Sequence, residues 1–313
     1  MNKTNKSLAF IFPGQGSQSL GMLSTYASEV RSVFQEASLA LGKDLWALSQ
    51  QGPESEINHT VNTQPLLLAA GVALWRVWQQ HLGDSPALLA GHSLGEYTAL
   101  VCANAISLSD AIQLVAKRGK FMQEAVPEGK GAMAAVLGLA DDLLQRACEE
   151  AAQGEVVACV NFNAIGQTVI AGDKAAVDRA GVLAKEKGAK KVVMLPVSVP
   201  SHCKLMEPAA KALAQVLVDV KIVPPTLPVI HNVDVKPCKH PDDIREHLVQ
   251  QLISPVRWVE TVQYFATENI KILIECGPGK VLTGLTKRID PTLQAFSLDT
   301  KEDLTKTLTS LNA

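Results

Sequence analysis

The sequence predicts an α/β fold, a parallel sheet with a smaller unit inserted into it, and three observations lead there. Short apolar runs of strand length alternate with longer amphipathic segments. Three of the runs end in glycine-rich loops, Pro13-Gly14-Gln15-Gly16, Gly91-His92-Ser93-Leu94-Gly95 and Gly277-Pro278-Gly279. An open parallel sheet uses such loops because its sites lie beyond the carboxyl ends of its strands. The middle of the chain reads differently, as β-α-β-β-α-β.

Taken in order, residues 7–12 form a buried strand. The longest apolar stretch, 65–75, stops at Arg76, well short of the roughly 18 residues needed to span a bilayer. Residues 86–90 are the second strand and 96–105 the helix after it. Ser107-x-x-Asp110 is a capping box. It opens a helix with Leu108, Ala111, Val115, Met122 and Ala125 along one face. Then come a strand at 131–139, a helix at 141–153, strands at 156–162 and 168–171, a helix at 175–187 and a strand at 191–197. That is the order of a ferredoxin-like unit, and about 70 residues is a workable domain. Its expected limits are 128–197, between Pro127-Glu128-Gly129 and the prolines at 196 and 200. The large domain is then 1–127 with 198–313. It regains a helix at 203–217 and a third strand at 270–275.

Composition excludes several function classes. With 29 Lys+Arg against 31 Asp+Glu the formal net charge is −2, which argues against a nucleic-acid binder relying on basic charge. The apolar run 8–12 is too short for a signal-peptide core, so neither secretion nor membrane insertion is expected. The six cysteines (102, 148, 159, 203, 238 and 276) are scattered, with no C-x-x-C pair and no metal-ligand spacing. They read as reduced thiols of a cytoplasmic protein, with no metal or other cofactor.

The chemistry centres on Ser93. Gly91-His92-Ser93-Leu94-Gly95 fits G-x-S-x-G, the nucleophile elbow, in which flanking glycines leave room for a cramped strand-to-helix turn. A strand before it and a helix after it support a nucleophilic Ser93. A serine needs a base, for which histidine suits near neutral pH. Among seven histidines, His92 abuts the serine and is read as packing. His59, His81, His240 and His247 sit in polar or helical contexts typical of exposed residues, and His231 follows a short β-like run. His202, after the extended 192–199, is either the base or simply the start of a helix. Cys203 beside it is read as packing. Arg118 continues the apolar stripe of its helix. A guanidinium there must be paired or face a cavity, either as a structural ion pair or as a fork gripping a substrate carboxylate. No acid stands out as the third member of a triad.

With Ser93, Arg118 and His202 in place, the sequence closely resembles the bacterial malonyl-CoA:acyl-carrier-protein transacylases over nearly its whole length. The matching blocks include Phe12-Pro13-Gly14-Gln15-Gly16-Ser17-Gln18, Thr63-Gln64-Pro65 and Gly91-His92-Ser93-Leu94-Gly95-Glu96-Tyr97. They continue through Val199-Pro200-Ser201-His202, Gln251-Leu252-Ile253-Ser254-Pro255-Val256 and Glu275-Cys276-Gly277-Pro278-Gly279-Lys280. The resemblance implies an α/β-hydrolase-like core with a ferredoxin-like insertion. It implies Ser93 as the acylated nucleophile and His202 as its base and acid. The oxyanion hole falls to the backbone N–H groups of Gln15 and Leu94. Arg118 is implied as the carboxylate clamp, a carbonyl from the Gln251 region as the group orienting His202, and Asn161 as a lining residue. The implied reaction is ping-pong transfer from malonyl-CoA, releasing CoA, to acyl carrier protein for fatty-acid biosynthesis, by a monomer. Ile165, where proline is common, and His231, where a small or amide residue is usual, depart from the pattern. Lys190 with Lys191 and Lys287 with Arg288 are candidate docking cations for an acidic carrier. A serine esterase or thioesterase, a non-catalytic carrier-binding subunit and a polyketide acyltransferase are the alternatives.

Overall fold

An unbroken apolar run such as Leu8-Ala9-Phe10-Ile11-Phe12 can be wholly buried only if both faces of its strand are covered. In the computed structural model, which describes residues 4–81, 85–197 and 199–311, that is how the chain folds around it. The strands are β1 (Thr4–Phe12), β2 (Ser85–Gly91), β3 (Gly131–Leu137), β4 (Val157–Ala164) and β5 (Gln167–Asp173). They continue with β6 (Lys191–Met194), β7 (Val229–Ile230), β8 (Ile272–Glu275) and β9 (Gln294–Ser297). Five of them make one sheet in the order β7-β2-β1-β8-β9, every neighbouring pair parallel.

The pleat of β1 sends Leu8, Phe10 and Phe12 to one core and Ala9 and Ile11 to another. On the first face Phe10 meets Trp75 and Trp78 edge-on, each with ring centroids 5.1 Å apart. Both tryptophans belong to the helix Thr60–His81. On the second face Trp258, Val262 and Phe265 close over Ile11. The three glycine-rich loops follow β1, β2 and β8, which are adjacent in the sheet, so all three gather at one edge. There a Cβ on Gly277 would lie 2.4 Å from the Pro13 ring, so the loops after β8 and β1 touch through a glycine.

The insertion is a four-stranded antiparallel sheet in the order β4-β5-β3-β6, its strands and helices following one another as β-α-β-β-α-β. Helices Asp141–Ala152 and Lys174–Glu186 cover one face through Leu144, Cys148, Val177 and Ala180. The other face carries Met133, Val160, Val169 and Ala171 against Cys203, so the small sheet leans on the segment that holds His202. Its strand β4 is also stitched to the large domain: Val256 N–H donates to Val160 O at 2.8 Å and Phe162 N–H to Val256 O at 3.0 Å.

Differences from expectation are local. The helix expected at 96–105 is Leu94–Cys102; it begins on the residue after the serine because the elbow feeds it directly. The helix at 203–217 opens with a tight turn, Lys204–Met206, before Glu207–Leu217. The strand at 191–197 ends at Met194, three residues before Val197 and two before Pro196, which has no N–H to give to a ladder. Residues 1, 198 and 313, which bound the expected domains, lie outside the described residues. Among the described residues no helix is long and apolar enough to cross a membrane.

Candidate active site

Ser93 sits between the end of β2 and the helix Leu94–Cys102, with φ 52° and ψ −108°. Such a backbone costs a non-glycine residue about 1–3 kcal/mol, and the neighbours hold it there. A Cβ on Gly91 would lie 1.8 Å from the carbonyl carbon of Gly95, and one on Gly95 would lie 2.0 Å from Phe12 O. Only hydrogen fits at either position. Asn232 then clips the turn, its Oδ1 accepting from Ser93 N–H at 2.8 Å and its Nδ2 donating to Gly91 O at 2.7 Å.

His202 reaches this serine from the loop that returns from the insertion. It too has a positive φ, 66°, and it is buried. Its Nε2 lies 2.8 Å from Ser93 Oγ and its Nδ1 lies 2.7 Å from the carbonyl oxygen of Gln251. A carbonyl only accepts, so Nδ1 carries the proton and Nε2 offers its lone pair to the serine hydroxyl. Burial, and after it the Arg118 cation, hold the imidazole's pKa down at about 3. It is therefore neutral at physiological pH, the form that can take a proton.

Arg118 lies in the helix Leu108–Ala125, which the Ser107 side chain caps by accepting from Asp110 N–H at 3.0 Å. It is 1% exposed. The fork has no carboxylate in contact. Its Nη1 donates to Gln64 Oε1 and its Nη2 to Gln251 Oε1, both at 2.9 Å, and Nη2 also reaches Ser93 Oγ at 3.4 Å. The guanidinium carbon stands 5.2 Å from the centroid of the Tyr97 ring. Neutral amides and a ring make its direct contacts, and the carboxylate of Glu96 acts on it only from behind Gln251, which leaves the guanidinium's own hydrogens ready for an anion.

Ser93, Arg118 and His202 line one cavity of about 110 Å³, together with Gln15, Leu94 and Asn161. It adjoins a cleft of about 710 Å³, and Gln15, Thr60, Leu195, Val197 and Val199 line both. Leu94 opens its helix, so its N–H has no intrahelical acceptor. Gln15 lies in the exposed loop after β1. Asn161 projects from β4 and leaves Oδ1 buried with no hydrogen-bond partner among the described residues. Gln251 lies behind the cavity, fully buried.

Five residues of the site carried no signal as site residues in the sequence. Gln64 is an amide in an apolar helix, and that mismatch was the available clue. Asn232 and Asn163 are polar residues at a strand end and in a strand; Asn163 Oδ1 bonds His92 Nε2 at 2.8 Å. Glu96 lies inside the motif itself, three residues after the serine, and is fully buried. His247, grouped with exposed histidines, is half-buried and stacks on His231 with ring centroids 4.7 Å apart. Cys203 is buried, donates to Pro200 O, and its thiol is pushed up to about 11 by burial.

The model of the acyl transferase domain family matches residues 9–295. A malonyl CoA-acyl carrier protein transacylase of Escherichia coli (strain K12) is 60% identical over 294 residues, covering 93% of this chain and 95% of its own. The crystal structure of an acyl carrier protein S-malonyltransferase from Vibrio cholerae superposes with a TM-score of 0.94 at 55% identity, covering 96% of this chain and 99% of its own. A malonyl-transacylase in complex with its type II PKS acyl-carrier protein gives a TM-score of 0.96 at 55% identity, covering 97% and 99%.

Proposed function

Since this chain belongs to the acyl transferase family, and within it to the malonyl CoA-acyl carrier protein transacylases, we propose that it transfers malonyl from malonyl-CoA to the phosphopantetheine thiol of acyl carrier protein through an ester on Ser93. One observation carries this reading above all. A buried guanidinium that makes its direct hydrogen bonds only to neutral groups shares a cavity of about 110 Å³ with a hydroxyl bonded to a neutral imidazole. That cavity suits a short acyl group ending in a carboxylate.

In the first half-reaction Ser93 Oγ attacks the thioester carbonyl and its proton passes to His202 Nε2. The oxyanion that develops is stabilised by the N–H groups of Leu94 and Gln15, donors worth most where charge appears only in the transition state. The C–S bond breaks and His202 returns the proton to the departing CoA sulfur. Arg118 holds the free carboxylate of the acyl group by two charge-assisted hydrogen bonds, and Asn161 lines the far wall with an unsatisfied oxygen. In the second half-reaction the carrier's thiol gives its proton to His202 and attacks the ester, which restores the serine. The carbonyl of Gln251 orients the imidazole where hydrolases place an acid. A neutral oxygen there stabilises imidazolium less than a carboxylate does, which restrains attack by water on the waiting ester.

On this reading residues 1–127 and 198–313 are an α/β-hydrolase-like catalytic domain and 128–197 a ferredoxin-like one, with the pantetheine arm lying in the cleft between them. The product supplies fatty-acid biosynthesis, and the six free thiols fit a cytoplasmic setting. The carrier docks beside the insertion. Lys190, Lys191, Lys287 and Arg288 are exposed, Arg288 bonds the Gln167 side chain at the start of β5, and Ile165 beside it is 63% exposed. An apolar tip within a basic rim suits an acidic partner.

The decisive assay follows malonyl-CoA thioester with and without holo carrier protein. Without carrier, one equivalent per enzyme is consumed and turnover stops. Continuous carrier-independent loss would make the protein a thioesterase instead.

A further inference from the structure

The acid that the sequence leaves out of the catalytic group is present one layer back. Glu96 is fully buried, three residues after Ser93 on the elbow's own helix. Its Oε2 accepts from Gln251 Nε2 at 2.9 Å and from Asn232 N–H at 3.0 Å, and its Oε1 lies 2.7 Å from His231 Nδ1. Both intermediaries touch the site. Gln251 gives its main-chain oxygen to His202 and its side-chain oxygen to Arg118, and its Nε2 also donates to Ser93 O at 3.0 Å. Asn232 holds the elbow at Gly91 O and at the serine's own N–H. One carboxylate thus fixes the two residues that fix the serine, the imidazole and the guanidinium.

We propose that Glu96 is a positioning residue that also supplies, through Gln251, the negative charge a triad acid would supply directly. Charge counting gives the consequence. With the site empty, Glu96 offsets the Arg118 cation across the Gln251 amide. When a diacid's carboxylate pairs with Arg118, that cation is spoken for. Glu96 is then the surplus negative charge joined through Gln251 to the imidazolium that forms on His202 in the transition state. The titratable groups acting directly on His202 are Arg118 and His92, with Cys203 next in sequence. Those facing Glu96 are Arg118, Tyr97 and His231, with His247 stacked behind His231 and itself 3.2 Å from Asp234. Of these, His231 gives the carboxylate an imidazole as its outer partner.

The inference rests on the acyl-transfer reading and is tested apart from it. Glu96→Gln keeps one oxygen for Gln251 and Asn232 and turns an amide toward His231, so the scaffold remains and the charge goes. For malonyl transfer kcat is expected to fall about ten-fold, because the imidazolium loses a compensating charge. KM is expected to fall as well, because Arg118 no longer shares its charge with Glu96. A merely structural role predicts the opposite for KM. In an Arg118→Met background, assayed with acetyl-CoA, Glu96→Gln should leave KM unchanged and still lower kcat. That double variant buries neither charge, so it answers the question even if Glu96→Gln alone fails to fold. An unchanged kcat in the double variant, or a KM that rises in the single one, overturns the inference. A wild-type protein that forms no ester on Ser93 overturns the transfer reading itself.

Discussion

His202 and His231 are both buried histidines tied to Gln251, one directly and one through Glu96, and they are wired in opposite ways. His202 faces the cavity and is backed by main-chain groups, the Gln251 carbonyl at 2.7 Å. His231 faces away and holds a carboxylate at 2.7 Å. The His–carboxylate pair of a hydrolase therefore exists in this molecule but does not touch the serine. What separates them is Gln251, whose amide joins Glu96 to Arg118 and whose carbonyl holds His202. The difference teaches that a site can carry the charge of a triad without placing its strongest base-orienting group against the reacting histidine. On the proposed reading, water gains less from such a site than a thiol does.

The largest expected contrast comes from deleting each imidazole. His202→Ala should lower malonyl transfer by about a thousandfold or more, since the serine loses its proton acceptor. His231→Asn, which keeps an amide hydrogen for Glu96, should cost less than about three-fold. Steady-state kinetics on holo carrier protein measure both, and equal losses would erase the distinction between the two histidines. Next is the cation that Gln251 shares. Arg118→Ala should reduce malonyl transfer about a hundredfold and move the preference toward acetyl, read from competing the two CoA esters in one mixture.

A smaller effect is expected far from both histidines. Reversing Lys190 and Lys191 together with Lys287 and Arg288 should raise the apparent KM for carrier protein about five-fold at low salt and little at high salt. Transfer from malonyl-CoA to a small pantetheine thiol should be unaffected. The smallest expected effect is none. A base whose folded pKa is depressed stays unprotonated until pH falls through that depressed value, which for His202 is about 3. The kcat/KM of the free enzyme should thus stay level from pH 8 down to about pH 5. A fall centred on the ordinary histidine range, near 6.5, would mean that burial and Arg118 do not act on His202.

Much of this was legible in the sequence, for reasons that can be named. The elbow was legible because its glycines are forced by contacts of 1.8 and 2.0 Å, so the pattern and the geometry are one constraint. Arg118 was legible because a cation breaks an apolar helical stripe. The β-α-β-β-α-β order between residues 131 and 194 was legible because its short apolar runs and amphipathic segments alternate in that order along the chain. The second layer was not. Glu96 and Asn232 meet across 136 residues and Arg118 and Gln251 across 133, and no local period records a hydrogen bond between distant loops. Glu96 was also hidden by its setting, since a glutamate in the first turn of a helix is ordinary dipole complement. His247 was misplaced for a similar reason. A polar helix offers no sign that one of its residues stacks on a buried ring.

The most direct test of the central claim is mass spectrometry of the intact protein and its peptides after brief mixing with malonyl-CoA. The account predicts a single malonyl ester on the peptide containing Ser93, discharged by holo carrier protein and lacking in Ser93→Ala. No covalent adduct on wild type, or an adduct of equal amount in Ser93→Ala, would contradict it.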